Sequence, residues 1–214
     1  MTIALLQRTS LATIALAFAV LFSSFSFTVP VSAAQDPAFS FIQRLSETAL
    51  MSLTEKNVSR LEREKRVREI LRANFDIDTI GRFALGTHWN AATEDQRKEY
   101  LDLFEDMIVQ TYTTRFEDYS GQKLEVKDAT DSGKKDTLVS SQVIQPDGPP
   151  LNLEWRVRSK NGQLRVIDVV VEGISMSVTQ RSDFSSVIQS NGGDLDALLA
   201  MLRERKKNSS GHKS

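Results

Sequence analysis

The chain has 214 residues, with 27 basic and 28 acidic side chains, and 40% of its residues are hydrophobic. This length suits one globular domain with a substantial core, and the charge balance argues against a nucleic-acid-binding protein, which carries a strong basic excess. The lack of cysteine in the sequence excludes disulfide scaffolds, thiolate metal sites, iron–sulfur clusters and cysteine nucleophiles.

The segment 1–34 is typical of a secretory signal peptide. Arg8 is the only charged residue before Asp36, and an apolar stretch begins at Leu11. The small residues of Val31-Ser32-Ala33-Ala34 predict cleavage after position 33 or 34 and export, which in a bacterium means the periplasm. An uncleaved membrane anchor is the alternative, because the apolar stretch is close to the roughly 20 residues that span a bilayer.

Helical periodicity dominates the first half of the mature chain. Apolar residues recur at three- and four-residue steps over 36–74, where the charged stretch 60–72 predicts a solvated helix surface, and a short helix then ends at Gly86. Thr93 and Gln96 form a capping box for the longest helix, which we expect to end near Tyr119. The apolar face of this helix is rich in aromatic residues.

From residue 124 onward the pattern changes to the alternation of β-strands. Strands are predicted at 137–145, 151–158 and 164–176, with a hairpin turn at Asn161-Gly162, and closing helices at 178–190 and 194–206. This order predicts an α+β fold: N-terminal helices, then a curved antiparallel sheet of about four strands covered by helices. We assign 35–206 to this single domain and 207–214 to a basic disordered tail.

Few residues offer catalytic chemistry. The sequence contains no glycine-rich phosphate loop and no nucleophile elbow, and His88 and His212 are its only histidines, too few for a His-rich metal site. Asp168 interrupts an apolar strand, where a carboxylate is costly to bury unless it is paired. It is either a general base in a pocket or, more commonly, a structural group that pairs with Arg82, Arg156 or Arg181.

The remaining signal is apolar surface on the longest helix and on the sheet. If these two surfaces meet fully, they form an ordinary core. If the curvature of the sheet keeps them apart, they enclose a deep apolar cavity. Periodicity alone does not separate the two cases, and the plain core is the commoner arrangement.

Several segments together resemble the MlaC family of toluene-tolerance, or ABC-transporter auxiliary, proteins. The segment 75–89, FDIDTIGRFALGTHW, resembles the family's motif, and the helix 93–112 that follows fits as well. The strand 166–175, VIDVVVEGIS, resembles the family's late strand, and the helix with Phe184 and the closing segment 193–199 complete the match. The likeness covers nearly all of the mature chain in the right order.

The resemblance implies a periplasmic phospholipid carrier with an NTF2/cystatin-like core, rather than an enzyme. Members of this family hold lipid acyl tails between sheet and helices and carry lipid between an inner-membrane ABC transporter complex and an outer-membrane lipoprotein complex. Asp168 falls on the family's aspartate, which implies an architectural role. One branch is associated with hopanoid synthesis, so a hopanoid is the alternative cargo. An NTF2-like enzyme that acts on an apolar small molecule, through Asp168 and His88, is the alternative function.

We expect no cofactor and no metal, because the bound lipid is cargo. The candidate lipid-binding side chains come from the family motif, the longest helix and the strands. These candidates are Phe83, Trp89, Phe104, Met107, Ile108, Tyr112, Val143, Leu153, Trp155, Val157, Val169, Val171, Ile174 and Met176.

Overall fold

The computed structural model describes residues 36–211, so the predicted signal peptide and residues 212–214 lie outside the described part of the chain. The helices are α1 Pro37–Leu53, α2 Arg60–Asn74, α3 Ile77–Leu85, α4 His88–Ala91, α5 Glu94–Glu117, α6 Met176–Ser190 and α7 Leu195–Gly211. The strands are β1 Lys123–Ser132, β2 Asp136–Ile144, β3 Leu151–Lys160, β4 Gln163–Val171 and β5 Ile174–Ser175. This is the predicted α+β order.

The helix boundaries follow from local capping chemistry. The predicted helical stretch 36–74 divides into α1 and α2, because the intervening turn contains Asn57 at a positive φ of 68°. Ser59 then caps α2 by accepting a hydrogen bond from the Glu62 backbone N–H. Thr93 and Gln96 form the predicted capping box at the start of α5. Side-chain caps of this kind satisfy backbone N–H groups that have no partner inside the helix.

The strands form one antiparallel meander in the order β1-β2-β3-β4-β5. Asn161 and Gly162 make the predicted hairpin turn, both at positive φ. The long predicted strand 164–176 is wrong in its second half. Glu172 and Gly173 both adopt positive φ, so the chain reverses and residues 174–175 pair back on β4 as a fifth strand.

The helices pack against the sheet and against one another. Helix α1 lies against β1 and β2, while α5 packs against α2, α3 and α7, and α6 packs against α3 and β4. Helix α7 continues to Gly211 and so includes the first residues of the predicted tail 207–214. Over residues 36–211, no helix combines the length and the apolar character needed to cross a membrane.

Candidate functional site

One face of the sheet is apolar across β2, β3 and β4. The register places Val139, Trp155 and Val169 side by side, and the next row contains Leu153 opposite Val171. Side chains of directly paired residues lie on the same face of a sheet. The structure therefore brings together the six candidates of the three strands, which are Val143, Leu153, Trp155, Val157, Val169 and Val171.

Helix α1 covers only part of this face. Ile42 and Leu45 of α1 are buried in a cluster with Val139, Val157 and Val166 of the sheet. Toward the other end of the strands, Val143, Leu153 and Val171 are only half-buried, and Leu151 is 37% exposed. Between the two ends, the Trp155 indole Nε1 donates a hydrogen bond to Ser141 Oγ at 2.9 Å. The apolar face is thus closed at one end and partly open at the other.

The open end extends to the edge of the sheet. Val171 pairs with Ile174 of β5, so Ile174 continues the row that begins at Leu153. Ile174 is 60% exposed, and with Val178 of α6 it lines a shallow cavity of about 540 Å³. Met176, the first residue of α6, is also exposed.

The aromatic helix α5 is divided between two environments. Phe104 and Met107 are buried in a cluster made by the helices, where the Phe104 ring lies 5.7 Å from that of Tyr100 and 6.2 Å from that of Phe184. These two candidates do not lie on the sheet face, because α3, α6 and α7 supply their neighbours. Ile108 is half-buried beside this helical cluster.

Tyr112 lies one turn beyond Ile108 on α5 and is 38% exposed. Burial raises the pKa of Tyr112, an effect that the nearby charge of Arg115 partly opposes. Helical spacing places Ile108, Tyr112 and half-buried Phe116 along one side of α5. This side is the accessible part of the predicted apolar helix face.

Phe83 and Trp89 lie on the motif segment at the ends of α3 and α4. Phe83 is 43% exposed, and the guanidinium carbon of Arg181 lies 5.4 Å from its ring centroid. Trp89 is half-buried and packs against the helical cluster. The structure places both candidates on the helical layer, apart from the candidates of β2, β3 and β4.

The apolar interior is divided in two. One buried cluster belongs to the helices and the other to α1 and the sheet, and Ile70 and Phe75 pack against both. Phe75 also forms a backbone bridge with Val166 of β4. The sequence analysis did not select Ile70 or Phe75 as candidates, although Phe75 is the first residue of the family motif. Periodicity shows which side of a helix or strand is apolar, but it does not show which element packs against that side.

Asp168 has a structural role in this fold. One of its carboxylate oxygens accepts hydrogen bonds from the backbone N–H groups of Val169 and Ser177, and the other accepts the Ser175 hydroxyl at 2.6 Å. Since Ser175 caps α6, the carboxylate holds the start of this helix against β4. Among residues 36–211 it forms no ion pair with the predicted arginines, although Arg156 is its neighbour across the sheet.

Comparisons with known proteins agree on one family. A profile of the MlaC protein family matches residues 43–204. The intermembrane phospholipid transport system binding protein MlaC of Haemophilus influenzae is 24% identical over 142 residues, which cover 64% of this chain and 65% of that protein. A toluene tolerance protein of Pseudomonas putida is 25% identical over 125 residues, 58% of each chain. The chain thus spans less than two thirds of the length of these two relatives.

A solved structure shares the fold. The phospholipid-binding protein from Ralstonia solanacearum, solved in complex with a phospholipid, superposes with a TM-score of 0.70 at 22% identity. The match covers 81% of this chain and 98% of that one. The arrangement of helices over an antiparallel sheet is therefore that of a known phospholipid-binding protein.

Proposed function

Because the chain belongs to the MlaC family, we propose that it is a periplasmic lipid carrier. It holds the acyl chains of a phospholipid against the apolar sheet face and moves the lipid between an inner-membrane ABC transporter complex and an outer-membrane lipoprotein complex. The lipid is cargo, so this function requires neither a catalytic residue nor a cofactor. The names of the two relatives and the phospholipid in the related structure support the proposal.

A lipid needs such a carrier because of the cost of exposing its tails to water. Burial of each methylene contributes about 0.8 kcal/mol, so a two-chain lipid with roughly 30 methylenes costs on the order of 20 kcal/mol to bring into water. A protein interior that resembles the bilayer removes most of this cost. The interior must not bind more tightly than the membrane by much, because release would then stop.

The observation that carries the proposal is the division of the apolar interior. A domain of this size ordinarily has one contiguous core, with at most small satellite clusters. Here the buried side chains form a helical cluster and a separate cluster of α1 and the sheet. Acyl chains inserted beside Ile70 and Phe75 would complete the burial of these two partly buried residues, which contact both clusters.

The direction of entry follows from the open end of the sheet face. Leu153 and Val171 are half-buried, and the same row ends at exposed Ile174. We place the acyl chains along this row, with their ends toward Ile70 and Phe75. The headgroup then remains near the edge of the sheet, where it is hydrated.

The first experiment is native mass spectrometry with lipid extraction on protein purified from the periplasm after expression with its own N-terminal segment. We expect one phospholipid for each chain. A hopanoid in its place would keep the carrier function and change the cargo. Protein that is empty, and that stays empty after incubation with phospholipid vesicles, would contradict the proposal.

A substitution in the predicted site tests its position. Leu153→Asp should reduce the lipid-loaded fraction by about tenfold or more, because an unpaired carboxylate in the acyl-chain site is strongly disfavoured. Leu61→Asp is the matched control, since Leu61 is an exposed leucine on α2. Circular dichroism should show both variants folded. If the folded Leu153→Asp protein showed normal lipid loading, the sheet face would not be part of the lipid-binding site.

A further inference from the structure

Three arginines stack on two aromatic residues of the motif segment, exposed Phe83 and half-buried Trp89. The guanidinium carbons of Arg82 and Arg97 lie 5.1 and 5.4 Å from the centroid of the Trp89 ring, and that of Arg181 lies 5.4 Å from the Phe83 ring. Cation–π contacts hold an arginine in place without neutralising its charge. The stacking therefore builds a positively charged surface with fixed geometry.

These three arginines have no acidic partner in the part of the chain that the structure describes. Arg97 donates only to the backbone carbonyls of Trp89 and Asn90, and no hydrogen bond or ion pair engages Arg82 or Arg181. By contrast, most arginines of α2 and α7 form ion pairs with carboxylates, such as Arg68 with Asp106 and Arg203 with Glu99. Three arginine charges without a carboxylate partner thus lie beside Phe83 and Trp89.

The charged surface adjoins exposed apolar side chains. Val178 and Arg181 are three residues apart on one side of α6, and Ile174 of β5 lies two residues before this helix begins. Ile174 and Val178 line the same shallow cavity. Ile174 and Val178 are 60% and 55% exposed. The adjoining shallow cavity also contains one acidic residue, Asp183. We call the surface made by Arg82, Phe83, Trp89, Arg97, Ile174, Val178 and Arg181 the arginine–aromatic face.

We propose that the arginine–aromatic face docks the protein on an anionic bilayer surface. Arginines that face anionic headgroups gain electrostatic attraction, aromatic rings favour the membrane interface, and exposed aliphatic side chains can enter the edge of the acyl region. An acidic protein partner would match the arginines alone. A bilayer matches both the charge and the exposed Ile174 and Val178, and Ile174 belongs to the row that leads into the proposed cargo site.

The basic end of α7 is a poorer candidate for this role. The side chains that make it basic are largely occupied within the described chain: Lys206 is paired with Asp106, Lys207 with Glu204, and Arg205 donates to the Thr111 hydroxyl. The side of the molecule near α3 and α6 is therefore the better candidate for contact with anionic lipid.

The proposal is tested by flotation of the lipid-loaded protein with two kinds of vesicle, pure phosphatidylcholine and phosphatidylcholine with about a third of phosphatidylglycerol. The unmodified protein should float only with the anionic vesicles, and less so as salt increases. The double variant Arg82→Gln/Arg181→Gln should bind about 25-fold more weakly, because each arginine near an anionic surface contributes about fivefold. The control Arg44→Gln/Lys56→Gln removes the same charge from exposed positions elsewhere and should lose little.

A local readout separates docking by this face from general attraction. Trp89 and Trp155 are the only tryptophans, so the part of a fluorescence change that is absent from a Trp89→Phe protein reports Trp89. We expect its emission to shift toward the blue with anionic vesicles. Equal losses in both double variants, or an unchanged spectrum, would overturn the proposal.

Two further outcomes of the same experiment would also overturn it. If the protein ignores anionic vesicles, the face serves a protein partner instead of a bilayer. If Arg82→Gln/Arg181→Gln also loses its bound lipid by mass spectrometry, the face belongs to the cargo site. Empty protein that still floats through this face would contradict the proposed carrier function and leave the docking proposal standing.

Discussion

At the scale of single residues, the most informative side chain is Asp168. The sequence suggests Asp168 as a possible general base, because burial of an unpaired carboxylate in an apolar strand costs free energy. The fold removes this cost with three hydrogen bonds, two from backbone N–H groups and one from Ser175. Its charge also lies at the N-terminal end of α6, where the helix dipole stabilises it.

We predict that Asp168→Asn lowers the free energy of unfolding by about 1–3 kcal/mol, because the amide group cannot accept all of these bonds. Urea denaturation measures the loss, and Asp183→Asn, at an exposed position of α6, is the control. Lipid loading of the folded variant should stay normal. A stable Asp168→Asn protein without lipid would instead assign Asp168 to the cargo site.

At the scale of elements, ion pairs hold the helical layer together. Asp106 of α5 pairs with Arg68 of α2 and with Lys206 of α7. Burial alone would raise the pKa of Asp106, but the hydrogen bonds from Lys206 and Arg68 outweigh it and lower the pKa. The predicted solvated surface of 60–72 is therefore partly an interface between helices. Other charges of this stretch pair within α2, as Arg66 does with Glu62.

The lowered pKa of Asp106 sets the sign of a pH dependence. A carboxyl whose folded-state pKa is depressed stabilises the fold above its unfolded pKa, about 3.9, and this contribution is lost as the pH falls through the folded pKa. We expect Asp106→Asn to be less stable at neutral pH and to show a shallower loss of stability below about pH 4. Thermal unfolding from neutral to acidic pH tests this, and parallel curves for the two proteins would contradict it.

At the scale of the whole molecule, the two apolar clusters predict that cargo contributes to stability. A ligand that binds only the folded state stabilises it by about 2.7 kcal/mol at a hundredfold excess over its Kd. Removal of the lipid by organic extraction and refolding should therefore lower Tm by about 5–10 °C in a domain of this size. Calorimetry before and after reloading from vesicles measures the effect. A Tm that is the same with and without lipid would mean that the clusters need no cargo between them.

The sequence by itself determined what depends on neighbours along the chain. The capping box at Thr93, the turn at Asn161-Gly162 and the order of helices and strands are all present as predicted. Strand alternation also brought the candidates of β2, β3 and β4 to one face, since every second side chain of a strand shares a face. The family motif could be identified for the same reason, as a run of adjacent residues.

Only the tertiary structure decided which element packs against the apolar side of each helix and strand. Phe104 and Met107 pack among helices, whereas Leu153 and Val171 stay half open, although all four are apolar residues in regular elements. Periodicity gives the direction of a side chain and not the element that arrives opposite it. The same limit hid Ile70, Phe75 and the stacking of Arg82, Arg97 and Arg181, because these contacts join residues from separate helices and strands that come together only when the chain folds.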